Sequence, residues 1–155
     1  MATAYNPSAK YEVKEWDVDF RKATGGRQLK ARVYQPQGAP GPFPVLLDMH
    51  GGAWHDKDRF ANVPMDLAVA QSGVLVVAID TTLSSEAPYP ASVQDLHYGI
   101  RWHKHKAREW KGDASTIGVL GSSSGGHVAQ LVGMRPRDAR YGAHALPEAP
   151  GLDAT

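Results

Sequence analysis

The stretch that most constrains the fold is Gly121-Ser122-Ser123-Ser124-Gly125, a Gly-x-Ser-x-Gly pattern. The apolar, β-prone run Thr116–Leu120 leads into it, and the helix-compatible run His127–Met134 leads out. A strand that turns directly into a helix forces the middle residue of the turn into a strained backbone conformation. Small residues on either side let strand and helix pack closely enough for such a turn to exist. Ser123 then stands clear at the carboxyl edge of a sheet, as a candidate nucleophile. The same turn also suits plain close packing, or anion binding through its amides. The five residues alone leave these readings open.

The rest of the chain supplies the sheet. Tyr11–Phe20 alternates through Val13, Trp16, Val18 and Phe20, and Gln28–Tyr34 alternates through Leu29, Ala31 and Val33. With Thr24-Gly25-Gly26 between them they predict an antiparallel hairpin. Pro36–Pro44 holds four prolines and two glycines, which predicts an extended surface connection. Val45–Met49 and Val74–Ile79 are nearly continuous apolar runs, the mark of strands covered on both faces. Asp48 interrupts the first and needs a partner if buried. Asn62–Gly73 predicts a helix with Asn62 as N-cap, Pro64 in the first turn and Gly73 as terminator. From Pro90 to near Gly112 apolar positions recur at helical spacing, predicting a long amphipathic helix. Its basic run, Arg101–Lys111, is expected on a solvated face. Arg135–Thr155 shows no periodic element.

Strands alternating with helices after a hairpin predict an α/β domain, three layers of α/β/α around a mostly parallel sheet. The expectation is one domain over residues 1–155, with its core at about 11–134 and a loop or tail over 135–155. In such sheets ligands bind at the carboxyl ends of strands. Two glycine-containing loops fall there: His50-Gly51-Gly52-Ala53-Trp54 after one strand, and the Ser123 turn after another.

Composition excludes some classes. Seventeen Lys and Arg against sixteen Asp and Glu give a net charge of +1, so neither nucleic acid nor an anionic membrane is an expected partner. There is no cysteine, hence no disulfide frame and no thiolate metal site. Met1–Lys10 has no apolar core, so no signal peptide is expected, and no apolar run reaches the roughly 20 residues of a membrane span. The expected location is the cytoplasm.

The two loops together resemble the α/β-hydrolase fold, and within it the esterase and lipase group that includes hormone-sensitive-lipase-like carboxylesterases and small feruloyl- or acetyl-esterase-like enzymes. Ala87-Pro88-Tyr89-Pro90-Ala91 with Asp95 resembles the same family. The resemblance covers about residues 30–134. It implies a serine ester hydrolase acting on a small-molecule ester, with Ser123 as nucleophile. The oxyanion-hole amides would be those of Gly51, Gly52 and Ser124. No cofactor or metal is implied, because a serine mechanism needs neither. Trp54 either lines the acyl pocket or packs against the oxyanion loop.

The family's triad runs Ser, then Asp or Glu, then His, with the last two after later strands. Downstream of Ser123 stand only Asp138, Glu148, Asp153, His127 and His144, with no strand to carry them. The expectation is therefore an amino-terminal half of the fold, inactive alone. The strand before Ser123 would be a bare edge needing the other half, a second chain or a homo-oligomeric contact. The alternative is a non-catalytic binding or scaffold protein of the same fold. Of the other candidates, His127 is expected in the packed interior beneath the turn, and His50 as a brace for its loop. Asp80 is expected to anchor a loop and Asp95 to favour the dipole of its helix. His97, His103 and His105 are expected to pack or face solvent.

Overall fold

The computed structural model describes residues 5–155, so Met1–Ala4 of the polar leader lie outside the described residues. Five strands and three helices follow in the order β1 (Val13–Lys22), β2 (Gln28–Pro36), β3 (Phe43–Met49), α1 (Val63–Gln71), β4 (Leu75–Ile79), α2 (Ala91–Lys106), β5 (Gly112–Gly121) and α3 (Ser124–Met134). A 3-10 turn over Ala107–Trp110 closes α2. The sheet order is β1-β2-β4-β3-β5.

The period of two along each strand divides the core. Leu75, Val77 and Ile79 of β4 face one cluster with Leu47 of β3, Leu96 and Ile100 of α2, and Val128 and Val132 of α3. Val76 and Ala78, the alternate residues, face a smaller cluster with Tyr34 of β2 and Ala70 of α1. All five β4 residues are buried, as a central strand covered by helices on both sides requires. This is the expected three-layer arrangement. Burying one such Leu or Ile side chain stabilises the fold by about 1.5–3 kcal/mol.

The sheet is mixed rather than mostly parallel. β1–β2 and β2–β4 pair antiparallel, while β3–β4 and β3–β5 pair parallel. The hairpin's second strand docks directly on β4, so it contributes as many antiparallel pairings as the crossovers contribute parallel ones. Pro44 lies inside β3, but at a register irregularity against β5, where a missing N–H is tolerated. Among the described residues β5 pairs only with β3 and forms one edge of the sheet.

Two expectations about the carboxyl-terminal part change. The segment after Met134 is irregular in backbone but docked. Tyr141 and Leu146 are each 1% exposed and belong to the main core cluster. Carbonyls of this segment accept hydrogen bonds from α2: Pro136 from the His97 imidazole at 2.8 Å, and His144 from the Arg101 guanidinium at 2.7 Å. Arg101 is buried beneath it, and His103 is buried beside the Trp110 ring, so the basic run is only partly a solvated face. Among the described residues the His103 ring has no hydrogen-bond partner, and burial drives its imidazole down to about 3. Trp102 and Trp110 are buried and meet edge to face at 5.5 Å, while Trp16 is half-buried against Trp110 at 6.2 Å.

Leu146→Ala is expected to cost about 2–5 kcal/mol, the range for a buried leucine, although no helix or strand contains it. Urea denaturation measures this, and a change within about 0.5 kcal/mol, the surface range, would show the segment undocked.

Candidate active site

The site is assembled where three parallel strands end level. Met49 pairs with Ile79 on one side and with Gly121 on the other. The loops after β3, β4 and β5 therefore leave the sheet at one height. Ser123 follows β5 and caps α3 with φ 52° and ψ −121°. Holding a serine there costs on the order of 1–3 kcal/mol, which the surrounding structure must offset. It does so by packing: a Cβ on Gly125 would overlap the carbonyl oxygens of Met49 and His50. Only glycine lets α3 press onto the end of β3. The amides of Gly125 and Gly126 donate to the carbonyls of Ser122 and Ser123 at 2.8 and 3.0 Å and start the helix. α3 thus begins at Ser124, three residues earlier than apolar patterning suggests. Ser123 is exposed, and among the described residues its hydroxyl has no hydrogen-bond partner.

The His50–Trp54 loop lies against this turn. Gly51 is so close that a Cβ there would stand 3.2 Å from the Cβ of Ser123. Gly52, at φ +105°, accepts from the amides of His55 and Asp56 at 3.1 and 3.0 Å, curling the loop back on itself. The Trp54 amide donates to the Ser124 hydroxyl at 3.2 Å, tying loop to turn. Among the described residues the amides of Gly51, Gly52 and Ser124 donate to no protein acceptor. Unpaired amides beside an exposed serine are what an oxyanion requires. Strain is concentrated here: of five non-glycine residues with positive φ among the described residues, Ala53, Trp54 and Ser123 belong to these two segments, and Lys57 follows the loop three residues on.

The supporting groups are polar. Buried His50 turns its Nδ1 to the Gly51 carbonyl at 2.6 Å and its Nε2 to Thr81 at 3.4 Å, bracing the loop. Asp80 accepts from the Lys30 amide at 3.0 Å and from the amide and guanidinium of Arg59 at 3.0 and 3.1 Å, so it anchors the loop before α1. Asp95 lies beyond the first turn of α2, fully buried, where it pairs with Arg21 and accepts from the Thr82 amide at 2.5 Å. It fastens the loop after β4; a role at the helix dipole is not its geometry. Asn62 stands at the N-cap position of α1 without capping it. Its amide group donates instead to both oxygens of buried Asp48, at 3.1 and 3.0 Å, and to the Ser122 hydroxyl at 3.4 Å. Asp48 has the partner its burial demands. Burial still pushes its carboxyl up, with Asn62 acting against that rise.

Two clefts flank the loop and the turn. One of about 310 Å³ is lined by Gly51, Gly52, Lys57, Asn62, Ser122 and Ser123. The other, about 410 Å³, is bounded by Ala53, Trp54, Thr82, Tyr89, Val93 and His127. Trp54 is 49% exposed on the wall of this larger cleft. His127 is exposed rather than interior. The first turn of α3 points it outward, where its ring meets Trp54 edge to face at 5.7 Å. Sequence reasoning missed Lys57, Tyr89 and the Asp48–Asn62 contact as parts of this region. Only the lone aspartate in an apolar strand signalled any of them. No group of three metal-ligating side chains occurs among the described residues, and no helix there is long and apolar enough to cross a membrane.

A strained serine between strand and helix, backed by the amides of a neighbouring strand-end loop, defines the amino-terminal part of an α/β-hydrolase fold. Residues 32–148 match the family model BD-FAE, and the chain belongs to that family. It is 34% identical over 115 residues to carboxylesterase NlhH of Mycobacterium tuberculosis, covering 74% of this chain and 36% of that enzyme. It is 35% identical over 139 residues to tuliposide A-converting enzyme 2 of Tulipa gesneriana, covering 80% of this chain and 35% of the other. Among solved structures it resembles a bacterial heroin esterase, with TM-score 0.74, 29% identity and coverage of 81% of this chain and 40% of that one. The chain therefore spans about a third of the length of the curated relatives it matches.

Two outcomes follow from the packing. Gly125→Ala forces a methyl group onto two backbone carbonyls and is expected to cost more than the usual 1–3 kcal/mol of overpacking, read as a loss of thermal midpoint. Asp66, buried in α1, is raised from 3.8 to about 7 by desolvation and then by Asp48. A carboxyl raised in the folded state loses stabilisation as pH climbs through that window. Asp66→Asn is therefore expected to gain on the natural protein between about pH 4 and pH 7 and to hold a constant margin above it. Stability curves at a series of pH values check this, and a margin that does not change with pH would contradict it.

Proposed function

We propose that this chain is the nucleophile and oxyanion-hole part of a serine carboxylic ester hydrolase. The observation that carries this is the exposed, strained Ser123 facing the unpaired amides of Gly51, Gly52 and Ser124. The names of similar proteins, carboxylesterase and heroin esterase among them, support the same class. In the proposed reaction Ser123 Oγ bonds to the carbonyl carbon of a small-molecule ester. The carbonyl π electrons move to oxygen, and the three amides hold the oxyanion. Losing one such donor costs about 2.7–4 kcal/mol of transition-state stabilisation. Collapse expels the alcohol, which takes up the serine proton, and leaves an acyl-serine for water to cleave. Trp54 and the 410 Å³ cleft would receive an apolar portion of the substrate.

The proton needs a base. Among the described residues none hydrogen-bonds the Ser123 hydroxyl, so turnover requires groups supplied from beyond these elements. The single-partnered edge of β5 suits the docking of further strands, whether from the rest of the fold or from a second copy. We place the protein in the cytoplasm, consistent with its lack of cysteine. That no described residue hydrogen-bonds the Ser123 hydroxyl also suits a second reading, a non-catalytic binding protein of this fold.

Oxyanion stabilisation alone leaves serine hydrolases a residual acceleration of roughly 10³–10⁴ over water after triad loss. A fluorophosphonate is therefore expected to modify Ser123 slowly and selectively, with Ser123→Ala unmodified, as read by mass spectrometry of the peptides. Ester turnover by the isolated chain is expected at no more than this residual level. Equal modification of Ser122 and Ser124 would favour the binding-protein reading, and full Ser123-dependent turnover would refute the need for outside groups.

A further inference from the structure

Behind the turn, on the α1 face of the sheet, lies a polar group with no role in the chemistry above. Asp48 of β3 is 1% exposed and Asp66 of α1 is fully buried. Asn62, one helical turn before Asp66, holds both oxygens of Asp48 and reaches the Ser122 hydroxyl. Among the described residues neither oxygen of Asp66 has a hydrogen-bond partner, and neither does the buried hydroxyl of Tyr34 from β2. The remaining charges facing this group are few. His50 at the end of β3 acts on Asp48. Arg32 lies over the Tyr34 ring at 5.7 Å, but its guanidinium is engaged by Glu15 and Asp17 of β1. Among the described residues no Lys or Arg pairs with either buried carboxyl.

Two carboxyls buried together without a cation do not both ionise readily. Of the two carboxyls, Asn62 donates only to Asp48, which selects Asp48 as the charged member and leaves the proton on Asp66. Ser122 is the residue before the nucleophile, and Asp48 lies three residues before Gly51. One side chain, Asn62, thus touches the strand that ends in the oxyanion loop and the turn that carries Ser123.

We propose that Asp48, Asn62 and Asp66 form a positioning unit for the nucleophile. Asn62, oriented by Asp48, fixes Ser122 and with it the backbone of Ser123, and the proton on Asp66 keeps Asp48 the sole charge in the unit. The functional meaning rests on Ser123 being the nucleophile proposed above; the structural coupling does not. Ionising Asp66 sets a second negative charge beside Asp48. The strain passes through Asn62 to Ser122.

The test follows backbone amide resonances of the full chain by NMR from pH 5 to pH 9. Ser122 and Ser123 are expected to show an inflection near pH 7, where burial and Asp48 place Asp66. Asp66→Asn, which keeps the shape of the side chain, is expected to remove it. His50 and His127 are present in both proteins, so the difference isolates Asp66. Asn62→Ala is expected to leave the inflection at Leu67, beside Asp66, while flattening it at Ser122 and Ser123. A flat response at Ser122 and Ser123 in the natural protein, or an inflection that survives Asp66→Asn or Asn62→Ala at those residues, overturns the proposal. Should Asn62→Ala fail to fold, the comparison of natural protein with Asp66→Asn still decides it. Phosphonylation of Ser123 is a second readout, expected to slow roughly 10–100-fold in Asn62→Ala, as misplacement of a reacting group does. Absence of labelling in every variant would count against Ser123 as nucleophile, while the NMR outcome still judges the positioning unit.

Discussion

The contact on which the site depends is the pressure of α3 against the end of β3, at Gly125 beneath the carbonyls of Met49 and His50. It allows the chain to turn from β5 into α3 within two residues. It also brings the His50–Trp54 loop alongside that turn. The left-handed backbone of Ser123 is costly by itself. Here it is the route by which β5, in register with β3, feeds a helix lying on β3. Nucleophile and oxyanion amides are two outcomes of one packing arrangement.

Each loop around the site is tied down by a buried polar group: His50 to Thr81, Asp80 to Arg59 and Lys30, Asp95 to Arg21 and Thr82, and Asp48 to Asn62. Burial penalises an unpaired charge severely, so each of these carboxylates is effective only while its partner is in place. The sheet supplies a rigid floor, and the polar groups set the height and direction of what rises from it. The Asp48–Asn62–Asp66 group differs from the others because it holds two carboxyls and no cation. In the proposed unit a proton on Asp66 takes the place that Arg59 holds at Asp80 and Arg21 at Asp95.

Much of this was legible in sequence. Alternation at Leu29, Ala31 and Val33, and the unbroken run Val74–Ile79, reported strands because a two-residue period follows directly from side-chain direction. Ser123 and Gly51-Gly52 were legible because few residue types fit a tight turn or a close approach. Other features depend on partners distant in sequence, and local pattern does not encode these. Asn62 reads as a helix cap but is drawn away by Asp48. His127 reads as interior until the entry angle of α3 turns it toward Trp54. Arg101 reads as solvated because the covering segment, through Tyr141 and Leu146, has no periodicity of its own. The strands lie on the alternating and apolar runs, yet the sheet is less parallel than expected, because nothing in the hairpin sequence states which strand it will join.

The central claim is that Ser123 and the amides of Gly51, Gly52 and Ser124 form one acyl-transfer site. An alkyl boronic acid tests it directly, because a nucleophilic serine converts trigonal boron to a tetrahedral adduct whose oxygen occupies the oxyanion position. The account predicts tetrahedral boron by boron-11 NMR, with downfield movement of those three amide protons, and loss of both signals in Ser123→Ala. Boron that stays trigonal with the three amides unmoved, or an adduct that persists in Ser123→Ala, would contradict it.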